Sequence, residues 1–328
     1  MKSKVILFLS AVIIFSFVSC QKESSGIKIG ISKIVQHPAL DAVEQAIQDE
    51  LAAQGVTDVS YDLQNANGDV NTASTIANKF KAEKVDIAIG IATPTAVALA
   101  NAIKDRPVIY AAVTDPVSAN LVESFNKGGD NVTGVSDMTP VKEQIMMLNR
   151  IKPLKALGHV YTSSETNAVI LAEMAKEACE ELGIEFIGST VSNSAEIKQA
   201  AQSIIDKVDG IYVSTDNNVV SALASLTEVA LKNNVPIMSA DPSSAETFDI
   251  LIAWGFDYYK MGRATGRLVK EIIDGKKTSQ IPTVFMTDPS DIDLLVNLDL
   301  AKKLGLTIPQ DIIDNASKIV ENGIVKKN

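Results

Sequence analysis

The sequence predicts an α/β fold of two doubly wound parallel-sheet lobes joined by a three-segment hinge. Two observations predict it: short β-rich runs alternate with helical runs, and the alternation restarts near the middle of the chain. A third, a mature length of about 310 residues, suits two domains rather than one.

In the first half, Ile27 to Ile31 reads as a strand. Leu40 to Ala53 is helical, with Ala42, Ile47 and Leu51 near 3.6 spacing and Gly55 as a stop. Val59 to Leu63 is the next strand. Asn71, read as a cap, opens a helix to Ala82. Val85 to Ile89 is a strand, Thr93 to Ile103 a helix and Pro107 to Ala111 a strand. Val132 to Lys142 is expected to hold the first crossover between lobes.

The second half repeats the order. Ala156 to Tyr161 is a strand, Asn167 to Leu182 a helix and Ile184 to Ile187 a strand. Ser194 to Ile205 is a helix, Gly210 to Val213 a strand, Val219 to Asn233 a helix and Pro236 to Met238 a strand. Helix Tyr258 to Asp274 ends at Gly275, and a short tail of strand and helix follows. The expected division is residues 27–138 plus 256–280 for the N-terminal lobe and 139–255 plus 281–328 for the C-terminal lobe.

Ahead of these lobes stands an address. Lys2 and Lys4 precede an apolar run from Val5 to Val18, and Ser19-Cys20 and a polar run follow. A basic start, an apolar core and a small residue before the cut describe a secretory signal over residues 1–19. The run of about 14 residues is shorter than the roughly 20 that a spanning helix needs. Phe17-Val18-Ser19-Cys20 resembles a bacterial lipoprotein processing site, with Phe17 where Leu is usual. An acylated Cys20 on the tether 20–26 would hold the folded body at a membrane surface. The other cysteine, Cys179, falls in a helical run and reads as a packed small hydrophobe, so no disulfide is expected.

A net charge of −10, without a basic patch, excludes nucleic acid as a partner. Enzyme readings also lack support. No glycine-rich phosphate loop follows the first strand. The two histidines, His37 and His159, assemble no metal cluster, and no cofactor is expected. Two-lobed racemases use a cysteine pair across the cleft, whereas here Cys20 belongs to processing and Cys179 lies mid-helix.

In doubly wound sheets a ligand binds outside the carboxyl ends of the strands. The loops at those ends carry His37, Thr93, Thr95, Thr114, Asp115 and Asp137 in the first half. In the second they carry Tyr161, Ser163, Glu165, Asn167, Asp216, Asn217 and Asp241. Singly, several read as caps or turn starters: Thr93 before Pro94, Asp115 before Pro116, Asp241 before Pro242. Together they suit a zwitterion. Thr93 and Thr95 at a helix start offer N–H groups to a carboxylate, and Asp115, Asp137, Asp216 or Asp241 would pair with an ammonium. Asp216 and Asp241 come first among these, since they can close on ligand from the second lobe. Tyr161, Trp254 and Phe256 are candidates for a stacking wall, with a core reading equally open for the last two. His159, inside a strand, reads as packed.

The same loops carry a family likeness. Gln36-His37-Pro38-Ala39-Leu40-Asp41, Ile91-Ala92-Thr93-Pro94, Ala112-Val113-Thr114-Asp115-Pro116-Val117, Asn131 to Asp137 and Ser214-Thr215-Asp216-Asn217 are among its motifs. With Tyr258 to Arg263 and Ala301 to Gly305, the sequence resembles the ABC transporter substrate-binding proteins related to tryptophan/tyrosine-binding lipoproteins. The resemblance implies a type I periplasmic-binding-protein fold; separately, the chain is expected to be a monomer and not an enzyme. The resemblance also implies capture of an amino acid, with an aromatic one favoured, and delivery to an ABC permease in the cytoplasmic membrane. Binding of a nucleoside, a sugar or another small solute, or a sensory role, would use the same cleft.

Overall fold

The structure, a computed structural model, describes residues 26–328. The signal segment, Cys20 and most of the tether lie outside the described residues.

The first sheet has the order β2-β1-β3-β4-β5-β11 and is parallel throughout. Its strands are β1 (Ile27–Lys33), β2 (Val59–Asn65), β3 (Ile87–Ile91), β4 (Val108–Val113), β5 (Val132–Ser136) and β11 (Val284–Phe285). Helices α1 (Pro38–Ala53), α2 (Val70–Ala82) and α3 (Thr93–Ala102) connect β1 to β4. Every residue of β3, β4 and β5 is buried, as expected where helices cover both faces of a parallel sheet. Helix α10 (Tyr258–Ile273) packs on α1 and returns the chain to this lobe.

The second sheet has the order β14-β13-β12-β10-β9-β8-β6-β7. Its parallel part comprises β6 (Ala156–Thr162), β7 (Glu185–Val191), β8 (Gly210–Val213), β9 (Ile237–Ser239) and β10 (Ile252–Phe256). Helices α4 (Val141–Ile151), α5 (Thr166–Leu182), α6 (Ile197–Ile204), α7 (Asn217–Ser221), α8 (Leu223–Lys232) and the short α9 (Pro242–Ala245) surround it. Strand β12 (Ile292–Asn297) runs antiparallel to β10. The tail then adds α11 (Leu298–Lys303), α12 (Gln310–Asp314) and the hairpin β13 (Lys318–Glu321) with β14 (Ile324–Lys327).

One apolar cluster fills the first lobe, and two clusters lie on the two faces of the second sheet. The chain passes between lobes three times: after β5, between β10 and α10, and between β11 and β12.

Several local expectations need correction. The third crossing follows Phe285, so 281–285 belong with the first sheet and not with the C-terminal lobe. The ladder Val284 to Val135 and Phe285 to Ser136 holds them there, with Thr133 Oγ1 donating to the Ile281 carbonyl at 2.8 Å. Asp69, not Asn71, caps α2, accepting the Thr72 N–H at 2.6 Å. The helix expected over Val219 to Asn233 breaks at Ala222, because α7 is set by an aspartate cap of its own. The first crossing does lie within Val132 to Lys142, in the residues between the end of β5 at Ser136 and the start of α4 at Val141. Cys179 is buried and burial pushes its thiol up to about 11, in keeping with a packed hydrophobe.

Candidate ligand-binding cleft

The carboxyl ends of the two sheets face each other across a small pocket lined from both lobes. From the first lobe and hinge, the wall includes His37, Leu40, Ala112, Thr114, Asp137 and Tyr258. From the second lobe it includes Asn167, Thr215, Asp216, Asn217, Val220 and Asp241.

The backbone that presents these groups is built locally. His37 occupies the extended N-cap position of α1, and Pro38 starts the helix where an N–H would be surplus. Its ring faces Asn217 and Asp241 across the cleft, and burial holds the imidazole below the usual histidine range against the pull of Asp241 and Asp41. Its Nδ1 is buried without a hydrogen-bond partner. Ala112 sits at φ 53° where the register of β4 against β5 shifts. A β-bulge beside a cleft re-aims the residues that follow it, here Thr114. Ala92, at φ 77°, is the second strained alanine at a strand end of this lobe.

Four carboxylates gather on or just behind this wall, and each is buried: Asp137, Glu165, Asp216 and Asp241. Among the described residues, no Lys or Arg forms an ion pair with any of them. They differ in what they already hold. Asp216 caps α7 through the Val219 N–H at 3.1 Å. It also accepts from Thr162 N–H at 2.6 Å and the Thr162 hydroxyl at 2.8 Å, tying β6 to β8. Asp241 caps α9 through Ser243 N–H at 2.9 Å and accepts from the hydroxyls of Ser243 and Ser244. Asp137 accepts only two long bonds, from Thr114 Oγ1 at 3.2 Å and Tyr258 Oη at 3.1 Å. A carboxylate offers about four lone-pair sites, so Asp137 keeps the most unused capacity of the three. Burial pushes it up to about 6 against those two bonds. Burial also raises Asp216, and burial with the neighbouring Asp216 charge pushes Glu165 up to about 7.

Of the residues expected at the site, His37, Thr114, Asp137, Asn167, Asp216, Asn217 and Asp241 meet at this wall. The others do not reach it. Thr93 is buried at the start of α3 with an unpartnered hydroxyl. Thr95 turns its hydroxyl back onto the Ile91 carbonyl at 2.6 Å, which makes it a helix-start brace. Asp115 is taken up by its own turn, accepting from Val117 and Ser118 N–H groups at 2.9 and 3.0 Å. Ser163 is exposed, and Tyr161 stacks on His159 at 5.6 Å. Glu165 lies behind the wall, bonded to asparagines. Trp254 lines a separate surface cavity with Met147 and Arg150, and Phe256 packs in the first-lobe core. His159 is buried in β6, and burial pushes it down to about 4. Tyr258, Leu40 and Val220 were not singled out for the site. Tyr258 follows the second crossing directly, and that position was the available signal.

Comparison with known proteins agrees with this architecture. The family model of ABC transporter substrate binding proteins matches residues 28–320. A tyrosine-binding protein of Clostridioides difficile (strain R20291) is 36% identical over 282 residues, 85% of this chain and 81% of that protein. A Streptococcus pneumoniae ABC domain solved in complex with L-Trp is 34% identical, with a TM-score of 0.86, covering 90% of this chain and 100% of that one. The ligand-free, open structure of a Clostridium difficile substrate-binding protein with adhesive properties is 35% identical but has a TM-score of 0.67, covering 90% and 99%. The match along nearly the whole described length, together with the two-lobed cleft, means that the chain belongs to the ABC transporter substrate-binding proteins.

Proposed function

We propose that this protein captures an aromatic amino acid between its lobes and delivers it to an ABC permease from the extracytoplasmic side. The observation that carries the reading is the set of buried carboxylates without a basic partner around one small cavity. Buried charge is costly unless it is paired. An ammonium group on the ligand supplies the pairing charge, and Asp137 is the assigned partner because it has the most unused acceptor capacity. Asp241 supports it from the opposite lobe. Leu40, Ala112 and Val220 give the apolar contact that a side chain needs. The tyrosine- and tryptophan-binding relatives favour an aromatic one.

A thermal-shift panel of amino acids, nucleosides and sugars tests the reading. Saturation at about 100 times Kd adds roughly 2.7 kcal/mol to apparent stability, so the melting midpoint should rise by several degrees with tyrosine or tryptophan. A response confined to nucleosides or sugars would refute it.

Acylation of Cys20 is the proposed means by which the protein stays at the membrane. Among the described residues no helix is long and apolar enough to cross a membrane. The chain should be retained in the membrane fraction, and Cys20→Ser should release it; retention of the Cys20→Ser chain would count against acylation.

A further inference from the structure

Glu165 is 3% exposed and contributes nothing to the cavity wall, yet three side chains depend on it. It occupies the N-cap position of α5 but makes no capping bond. Its two oxygens instead accept one N–H from each of three amides. Asn217 Nδ2 lies at 2.6 Å and Asn167 Nδ2 at 3.3 Å from Oε2, and Asn218 Nδ2 lies at 3.0 Å from Oε1.

Ionised Glu165 has acceptors only, so in that form each amide turns its nitrogen toward it and its carbonyl oxygen away. For Asn167 the orientation is fixed twice, because the same nitrogen also donates to the Thr215 carbonyl at 3.4 Å. Asn167 Oδ1 is then buried without a partner, on a residue of the cavity wall. Asn217 lines the same wall and faces His37 across the cleft. Asn218 Oδ1 lies 3.1 Å from where a Cβ would stand on Gly68 of the opposite lobe.

We propose that Glu165 is a positioning residue that sets ligand selectivity: by holding the nitrogens of the two wall residues Asn167 and Asn217, it turns their carbonyl oxygens outward and makes the second lobe's wall select N–H donors. The ammonium of an amino acid is the donor it favours, and the inference rests on the amino-acid reading above. The same wall rejects ligands that present only acceptors, since two facing acceptors without a proton between them leave a buried oxygen unsatisfied. The three donated bonds also explain why a carboxyl is tolerated at a buried position beside Asp216.

Isothermal titration of the full chain with two ligand pairs tests this. The pairs are L-tyrosine with 3-(4-hydroxyphenyl)propionate, and L-tryptophan with indole-3-propionate. Within each pair only the amino group differs. In Glu165→Gln the new amide offers an N–H where there was none, so one asparagine must reverse and show its own N–H to the cavity. The expected result is a Kd for the amino acid raised about tenfold or more, with the des-amino acid changed less than about threefold. That corresponds to at least roughly 0.7 kcal/mol of lost discrimination. Asn167→Ala removes one oxygen directly and should give the same selective loss, which decides the matter if circular dichroism shows Glu165→Gln to be unfolded. Parallel weakening of both ligands, or no change in either, overturns the proposal. Wild-type protein that binds neither member of either pair fails the amino-acid reading itself, and the positioning role falls with it.

Discussion

Asp137 stands where two crossings of the chain meet: it follows β5, and Tyr258, just past the second crossing, donates to it. Its folded-state pKa of about 6 lies above the ordinary carboxylate value because burial disfavours the charge. The sign follows from proton counting. Between the unfolded value near 4 and about 6, the empty folded protein holds a proton that the unfolded chain releases, so this group makes stability fall as pH rises through that window. Binding of an ammonium runs the other way, since only the ionised carboxylate attracts it. For a single group with a pKa of about 6, Kd for tyrosine or tryptophan should be about tenfold higher at pH 5 than at pH 7. Protonation of His37, which burial holds neutral, would reinforce the trend. Asp137→Asn should bind weakly and lose much of the pH dependence while still folding; an unchanged profile in that variant would remove Asp137 from the role. The residue-scale lesson is one of capacity. The sequence places Asp216 and Asp241 ahead of Asp137, but Thr162 occupies Asp216 from another strand, and that partner lies 54 residues away.

At the scale of elements, the α1–α10 contact shows why a locally unfavourable residue persists. Gly262 and Gly266 sit inside α10, where glycine costs about 1 kcal/mol relative to alanine. A Cβ at Gly262 would stand 2.5 Å from the Val43 carbonyl oxygen, and one at Gly266 would stand 2.5 Å from Glu50 Cβ. Backbone cannot step aside as a flexible side chain can. Gly262→Ala should therefore lower stability by about 1–3 kcal/mol despite the better helix propensity, read as a melting midpoint lowered by about 2–6 °C. A raised midpoint would mean that the helices separate without penalty. Element type was legible in most of the chain because apolar period and start or stop residues are local: β1, α1, β8 and α10 lie close to where the sequence puts them. The two-residue strand β11 was not, since nothing in Val284-Phe285 itself marks a strand; its ladder to β5 does. The break between α7 and α8 was hidden for a related reason: Asp216 starts a new helix only because the strand end delivers it as a cap.

At the scale of the molecule, the lobes are closed on each other. His37 of α1 faces Asn217 and Asp241 of the second lobe, and α1 touches α9. Only the closed form satisfies contacts from both sides, so a ligand bridging Asp137 and the second-lobe wall shifts the population toward it. Small-angle scattering should show a smaller radius of gyration when tyrosine or tryptophan saturates the protein than in its absence. Equal radii would indicate that ligand does not drive closure. Three crossings, rather than one, allow this motion while limiting it to a hinge, since each lobe is pinned at several points along the chain.

By itself the sequence determined the α/β alternation, the restart that makes two sheets, and the set of polar strand-end loops from which a cleft is drawn. These depend on periodicity, propensity and capping, which act over a few residues. Only the tertiary structure decided which of those loops face one cavity, that Thr95 and Asp115 bond to their own turns, that Tyr161 stacks on His159, and that Glu165 works from behind the wall. The reason is physical. A polar side chain is available to a ligand only if no other segment has already satisfied it, and the segments that do so here are brought close by packing, not by sequence order.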